Sequence, residues 1–453
     1  MRIALFKKEL KLNYRRTAIF LLFTITLLAG CATNELTTDS RTAQLCNKPD
    51  REDWFMDQAL GLFIHWSVDS QLGSVISHSM VGASEEYLER FENELPRSFY
   101  PIKFDPDEWA RLAKLAGMKY VVFTTKHHSG FCMFKTKTTD FNIMNTPHGQ
   151  DITKQIVQAF RRHGIRIGFY FSPDDFRMLH KQGKDISRRR AEALPTNNPE
   201  LMAHNKAQVR ELLTNYGPID MLFLDGTPDE LKELAWQIQP DILVTRGEME
   251  TPEQKMPNEP MPGPWEACFT LGTQWHFKPT NEDYKSGTKL IEMLIEIRAK
   301  GGNFLLNVGP TPDGEIPFEQ TRRMRELALW LFINRESIYN IRPWHVIRED
   351  DIWFTKSKDS DTVYAFVTKT DWPKGERKNF TLKSVLATDK SEIEILGQSG
   401  RVLEYQTEVN PKASWRQDEN GLHISAMRAQ RIYNNTKWPN PVVIKITHAK
   451  AAL

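Results

Sequence analysis

The sequence predicts an α/β fold: a (β/α) TIM-like barrel over residues 48–343, then an antiparallel β-sandwich over residues 344–453. In the first region helix-like and strand-like segments alternate five times, which requires parallel strands joined by crossovers. After "RRMRELALWLFINRESIYNIRPW" the pattern becomes short alternating apolar segments broken by Asp, Lys, Gly and Pro, the grammar of a sandwich. A chain of 453 residues has room for both and for a large core. An open doubly wound sheet is the second choice, weakened because no GxGxxG or Walker-type glycine loop follows any strand.

Residues 1–30 read as a signal segment: a basic start, then "TAIFLLFTITLLAGC" with about a dozen apolar residues, short for a membrane span. Its end, Leu28-Ala29-Gly30-Cys31, resembles the lipobox of bacterial lipoproteins, which implies a lipidated Cys31 and a membrane anchor. Ala32 rather than Asp at the next position suggests, in a Gram-negative cell, the outer membrane. Residues 31–47 are polar and read as a tether. Cys46, Cys132 and Cys268 remain, an odd number without a CxxC, so no disulfide framework is required. A net charge of +2 with 26% charged residues gives no argument for a nucleic-acid partner.

Each helix–strand unit has its own signals. In "DPDEWARLAKLAG" Asp105 is the N-cap, Pro106 the first helical residue and Gly117 the stop, and "MKYVVFTTK" follows as a strand. "DITKQIVQAFRRHG" places Ile152, Ile156, Ala159 and Phe160 on one face and leads into "IRIGFYFS". "NPELMAHNKAQVRELLTNYG" leads into "PIDMLFLDG", "TPDELKELAWQIQP" into "DILVTRG", and "SGTKLIEMLIEIRAKGG" into "NFLLNVGP". The sandwich strands are "IWFTKS", "TVYAFVTKT", "KNFTLKSV", "SEIEILG", "GLHISAM" and "PVVIKITHA".

Barrel chemistry gathers at the C-terminal ends of the strands. Those ends carry His65 and Trp66, His127 and His128, Tyr170 with Asp174 and Asp175, Asp225, Arg246 and Asn307. Core packing does not explain polar residues recurring at one phase, so the set points to a polar pocket. Asp225, after an apolar run, is placed to serve as a rigid carboxylate nucleophile. Glu266, beside Trp265, is the second carboxylate: burial against an aromatic ring raises a carboxyl pKa, as a general acid needs. A metal centre is disfavoured, because there is no HExxH and the adjacent pair His127-His128 chelates poorly from a strand.

"GLFIHWS", "KYVVFTTKHHSGFCMF", "DITKQIVQAFRRHGIRIGFYFSP", "MLFLDG", "GEMETPEQKMP", "PWEACFTLGTQW" and "GGNFLLNVGPTPDGEIP" together resemble the α-L-fucosidases of glycoside hydrolase family 29. The resemblance spans about Trp54 to Pro343. It implies a retaining exo-glycosidase acting on a terminal L-fucose or related L-sugar of a glycan, without cofactor or metal. It implies Asp225 as nucleophile and His65, His127, His128, Tyr170 and Arg246 as sugar-binding or site residues. The acid/base is Glu266 in the WE motif, with Glu85, Glu248 and Glu250 in reserve. The family's usual HWG is His65-Trp66-Ser67 here, its Glu-Trp-Tyr is Glu85-Glu86-Tyr87, and its WFDG tryptophan is Phe223. Trp66 and Glu85 are expected among the substrate-binding residues; the aromatic lost and the carboxylate added near the pocket change what surrounds carbon 6 of the sugar and leave L-galactose open as an alternative to fucose. The rival reading is a non-catalytic glycan-binding lipoprotein on the same fold.

Overall fold

The computed structural model describes residues 45–401, 407–429 and 440–452. The signal segment, Cys31 and most of the tether lie outside the described residues, and no described helix is long and apolar enough to cross a membrane. Cys46, Cys132 and Cys268 are free thiols.

A parallel sheet is built from β1 (Leu60–Ile64), β2 (Tyr120–Lys126), β3 (Arg166–Phe171), β4 (Met221–Leu224), β5 (Leu243–Val244), β6 (Glu266–Thr270) and β7 (Asn303–Val308). Its order is β5-β4-β3-β2-β1-β7-β6, a curled TIM-like sheet rather than eight regular strands. The gap between β5 and β6 is filled by an irregular segment. Met249 N–H bonds Thr245 O (2.7 Å), while Glu266 and Cys268 N–H bond Glu250 O (3.2 Å) and Pro252 O (3.0 Å).

The helices are α1 (Pro49–Gln58), α2 (Glu85–Asn93), α3 (Leu95–Ser98), α4 (Pro106–Leu115), α5 (Ile152–Arg162), α6 (Phe176–Lys181), α7 (Pro199–Asn215), α8 (Leu231–Ile238), α9 (Gly287–Ala299) and α10 (Phe318–Asn334). Six of these ten start at a side-chain cap. Asp105 accepts from Asp107 and Glu108 N–H ahead of α4, Asp151 from Lys154 N–H ahead of α5, and Ser286 from Lys289 N–H ahead of α9.

C-terminal to β7 the sheets are antiparallel. One has the order β13-β16-β10-β9-β8: Ile393–Ile395, Val442–Ile446, Val363–Val367, Ile352–Ser357 and Ile341–Glu349. The other has the order β11-β15-β14: Arg377–Leu382, Gly421–Met427 and Ser414–Asp418. β12 (Val385–Leu386) pairs with β17 (Lys450–Ala451). Phe354, Ala365 and Ile444 of the first sheet share one core with Leu382, Leu422 and Ile424 of the second.

Arg298 on α9 sits fully buried with no carboxylate on its guanidinium. It donates instead to Ile338 O (3.0 Å), Gly302 O (2.6 Å), Asn303 Oδ1 (2.9 Å) and Met56 O (2.9 Å). Burial pushes its pKa down to about 10, which leaves it charged at neutral pH. One side chain thus ties α1, the start of β7 and the approach to β8 together. Arg298→Met is expected to strand these acceptors and destabilise the fold by about 3–5 kcal/mol, read as a lower urea midpoint. KM should stay unchanged in the fraction that folds.

Candidate active site

The strand ends converge on one cavity of about 160 Å³. That is well under the roughly 300–1,000 Å³ of drug-sized sites and suits one small ring. His65, His127, His128, Tyr170, Asp225 and Arg246 all line it, as the phase of the strands predicts. Two of them are held by the sheet's own ladder: His65 N–H bonds Val308 O (3.1 Å), and Asp225 N–H bonds Phe171 O (3.1 Å).

Adjacent strand residues point to opposite faces, yet both His127 and His128 reach the cavity. The register of β2 against β3 shifts between Thr124 and Lys126, and the chain leaves the strand at His127. Lys126 takes the outward direction, with Nζ donating to Asn205 Oδ1 (3.0 Å). His127 stacks on Tyr170 with its ring 5.0 Å away and 10° off parallel. His128 Nδ1 pairs with Ser172 Oγ at 2.6 Å. His65 Nδ1 pairs with Asn307 Oδ1 at 2.6 Å, and Asn307 Nδ2 donates to Trp275 O, so its Oδ1 accepts the imidazole proton. Burial pushes His65 and His128 down to about 3 and His127 well below its usual value. All three are therefore neutral near pH 7. Among the described residues His127 Nδ1 and His128 Nε2 are buried and make no hydrogen bond, which leaves both able to meet the hydroxyls of a polar ligand.

Asp225 is the electrostatic centre. Tyr170 OH donates to Oδ2 (2.7 Å), and His128 Nε2 lies 3.5 Å from the same oxygen. Arg246 and Arg188 approach Oδ1 at 3.2 and 3.3 Å. Burial opposes the charge on Asp225, but His128, Arg246, Arg188 and the Tyr170 hydroxyl outweigh it and hold the carboxyl below its ordinary range. With His128 neutral, the two guanidiniums and the phenol sustain the ionised form. His127, His128 and Asp225 offer ligand atoms within 4.8 Å of one another, a spacing that fits a cation. Two guanidiniums already on that carboxylate favour a neutral ligand instead.

Three expected site residues are elsewhere. Trp66 is fully buried among Phe99, Phe104 and Trp109, with Nε1 donating to Thr311 O (2.9 Å), so it is a packing residue behind the pocket. Glu85 is exposed at the start of α2, its carboxylate on His180 Nε2 (2.9 Å), outside the cavity. Ser77 and His78 line the wall instead.

Glu266 opens β6 opposite Asn303, while Thr270 opposes Asn307 at pocket height. Four residues of strand put Glu266 about 13 Å below that level at roughly 3.3 Å per residue. It is fully buried, accepts from Tyr120 OH (2.8 Å), and is separated from the cavity by Cys268 on the same face. Burial outweighs its hydrogen bond from Tyr120 and pushes its pKa up to about 7. Burial and a raised pKa agree with the expectation from sequence, the aromatic partner is Tyr120 rather than Trp265, and the height on the strand sets Glu266 away from the cavity.

The carboxylate that does line the cavity is Glu253. It lies beside Cys268 in the irregular segment, and Arg246 joins it to Asp225: Nη2 to Glu253 Oε2 at 2.7 Å, Nη1 to Asp225 Oδ1 at 3.2 Å. One guanidinium thus bridges the two carboxylates and holds them on the same cavity wall. Of the reserves, Glu250 N-terminal to it pairs down beside Trp265, and Glu248 is held by Lys232 at 2.8 Å. Sequence pattern offers no signal for Glu253, since its segment has neither strand nor helix period. Arg188, first of three consecutive arginines, reads in sequence as a solvated charge run.

A sequence profile described as α-L-fucosidase matches residues 27–336. The plasma α-L-fucosidase of Rattus norvegicus is 29% identical over 397 residues, covering 77% of this chain and 83% of its own. The tissue enzyme of the same species is 30% identical, with 77% and 82% covered. Among solved structures, α-L-fucosidase isoenzyme 1 from Paenibacillus thiaminolyticus is 27% identical with a TM-score of 0.72, covering 88% of this chain and 98% of its own.

The buried Glu266 carboxyl has a linkage consequence. Its folded pKa of about 7 lies above the unfolded value of roughly 4.3, so between those pH values the unfolded chain releases a proton that the folded chain keeps. Stability therefore falls as pH rises through that window, by an amount on the order of 3 kcal/mol at its end. Glu266→Gln should gain stability relative to wild type between pH 5 and pH 8. Denaturant midpoints at both values test this, and a gain that is the same at the two pH values would refute it.

Proposed function

The chain belongs to the α-L-fucosidase family of glycoside hydrolases, and from that premise we propose that it is a retaining exo-α-L-fucosidase with Asp225 as nucleophile and Glu253 as acid/base. The observation that carries this reading is the Arg246 bridge joining those two carboxylates at the wall of a one-sugar cavity. An ionised, hydrogen-bonded Asp225 attacks the anomeric carbon while Glu253 protonates the departing glycosidic oxygen. Glu253 then takes a proton from water as that water attacks the same carbon, and the ester bond breaks with its electron pair returning to Asp225. The neutral histidines His65, His127 and His128 bind hydroxyls without adding charge near the developing oxocarbenium ion.

The cavity's apolar wall speaks to the sugar. Phe63, Phe223, Trp275 and Cys268 form it, so Phe223 keeps an aromatic face where the family tryptophan stands. A 6-deoxy sugar presents one apolar group, its methyl, for such a wall to cover. L-Galactose carries a hydroxyl there, which an apolar pocket rejects by about a hundredfold.

Release of nitrophenol from aryl α-L-fucoside and α-L-galactoside tests the assignment. Asp225→Ala should be inactive with its fold intact. Glu253→Gln should lose about 10²–10⁴-fold in kcat on substrates with poor leaving groups and less on activated ones, while Glu266→Gln stays within a few-fold of wild type. Loss of turnover in Glu266→Gln with Glu253→Gln unaffected would reverse the acid/base assignment. Glycan binding without turnover in the wild type would favour the lectin-like reading.

We also propose lipidation at Cys31 and attachment to the cell envelope, supported by the Leu-Ala-Gly-Cys order. Metabolic labelling with a fatty-acid analogue should tag the wild type and not Cys31→Ser; equal labelling of both would refute it.

A further inference from the structure

Between α6 and α7 the chain runs through Ser187-Arg188-Arg189-Arg190. Arg189 is exposed, and Arg190 stays in solvent on Asp185 and Glu192. Arg188 turns inward and lines the sugar cavity. Its Nε donates to Asp174 Oδ2 (2.7 Å), and its Nη2 donates both to Asp225 O (3.2 Å) and to Asp225 Oδ1 (3.3 Å). Asp174 is itself nearly sealed from solvent and is built into the turn after β3. Its N–H bonds Ser172 Oγ (3.1 Å), the hydroxyl that also meets His128 Nδ1. Gly226, next to Asp225, has φ +154°, and a Cβ there would stand 3.1 Å from Pro173 Cδ. The 172–174 turn therefore packs directly against the segment that carries Asp225.

We propose that Arg188 is a second guanidinium clamp on the nucleophile, oriented by Asp174, which stabilises the negative charge that returns to Asp225 when the glycosyl ester breaks. The proposal rests on the reading of Asp225 as nucleophile. Arg188 and Arg246 meet the same carboxylate oxygen from different elements, one from the α6–α7 loop and the other from the end of β5. Tyr170 occupies the other oxygen. Arg246 divides its charge between Asp225 and Glu253, so it cannot follow the nucleophile's charge alone; Arg188 has no tie to the acid/base. Among the described residues it is otherwise shared with Asp174 alone, whose carboxyl burial pushes above its ordinary value. In the second half of the reaction water adds to the anomeric carbon, Glu253 accepts the water proton, and the carbon–Oδ bond breaks towards Asp225. A fixed cation already at Oδ1 makes Asp225 a better leaving group without reorganising at that moment.

Asp225 is faced by His128 and His65 from the ends of β2 and β1, by Tyr170 from β3 and by Asp174 from the following turn. Arg188, Arg246 with Glu253, and Cys268 complete its surroundings. Of these, Arg188 and Arg246 are the groups that stay cationic through neutral pH. Removing one of them should raise the acid limb of the pH–kcat/KM profile.

The test uses Arg188→Gln and Arg188→Lys in the full chain, with an aryl α-L-fucoside. Arg188→Gln should lower kcat at least tenfold, leave KM within about threefold or lower it as the ester accumulates, and produce a burst of nitrophenol. Its acid limb should move up by one pH unit or more, and Arg188→Lys should recover most of both effects. A raised KM with an unmoved acid limb would make Arg188 a sugar contact and overturn the clamp. Equal losses in both variants at every pH would also overturn it. If Arg188→Gln does not fold, Arg188→Met serves in its place and should move the acid limb in the same direction; an unmoved limb there counts against the proposal. Failure of the underlying reading is separable, because trapping the wild type with a 2-deoxy-2-fluoro fucosyl fluoride should label the peptide containing Asp225. An unlabelled Asp225 peptide would remove the premise, whatever the Arg188 variants do.

Discussion

A carboxylate cannot remain ionised in a largely dry cavity unless fixed positive charge stands beside it, and Arg246 meets that requirement here. Its guanidinium reaches Asp225 and Glu253 at once and lies over the Phe223 ring, 5.2 Å from its centroid. Arg246 can do this because it stands two residues beyond the short β5, whose ladder continues through Thr245 N–H to Leu222 O at 2.9 Å and Leu224 N–H to Arg246 O at 3.0 Å. The sheet fixes the backbone and the aromatic face fixes the side chain. The separation of the two carboxylates follows from the guanidinium's own geometry.

The rest of the cavity is balanced against that charged centre by being neutral. Burial removes the proton from three imidazoles that in water would be partly charged near pH 7. Tyr170 is pushed the other way, kept protonated by burial and by the adjacent Asp225, and so remains a donor to that carboxylate. Neutral donors and acceptors can then recognise hydroxyls while the field at the anomeric centre comes from the carboxylates and guanidiniums alone. The smallness of the cavity is part of the same design, since room for one ring implies attack at a chain end.

What the sequence made legible was whatever obeys a period. Alternating helix and strand segments gave the TIM-like order, capping residues such as Asp105 and Asp151 gave the helix starts, and the common phase of the strand ends gave His65, Tyr170, Asp225 and Arg246. His127 and His128 were legible as a pair, although the bulge that lets both face inward was not. Trp66 stands at the right strand end but packs behind the pocket, because one step along the chain from His65 reverses the face. Glu266 shows the limit of phase reasoning from the other side. It has the correct face of β6 and the wrong height, and only the register against β7 reveals that. Glu253 and Arg188 come from segments without any period, so nothing in their local sequence sets them apart from solvated charges.

On the proposed assignment, the different placements of the three carboxylates follow from what each has to do with protons. A nucleophile should never bind one during the cycle, and Asp225 sits on the last rung of the parallel ladder among fixed cations. An acid/base must lose and regain a proton in every turnover, so it needs access to water. Glu253 has it, with a side chain 39% exposed on an irregular segment at the cavity wall. Glu266 has a pKa suited to acid chemistry but is sealed beneath Cys268, where a proton given up has no route back from solvent. A raised pKa therefore identifies burial, and it identifies a general acid only when the same carboxyl also reaches both the substrate and water.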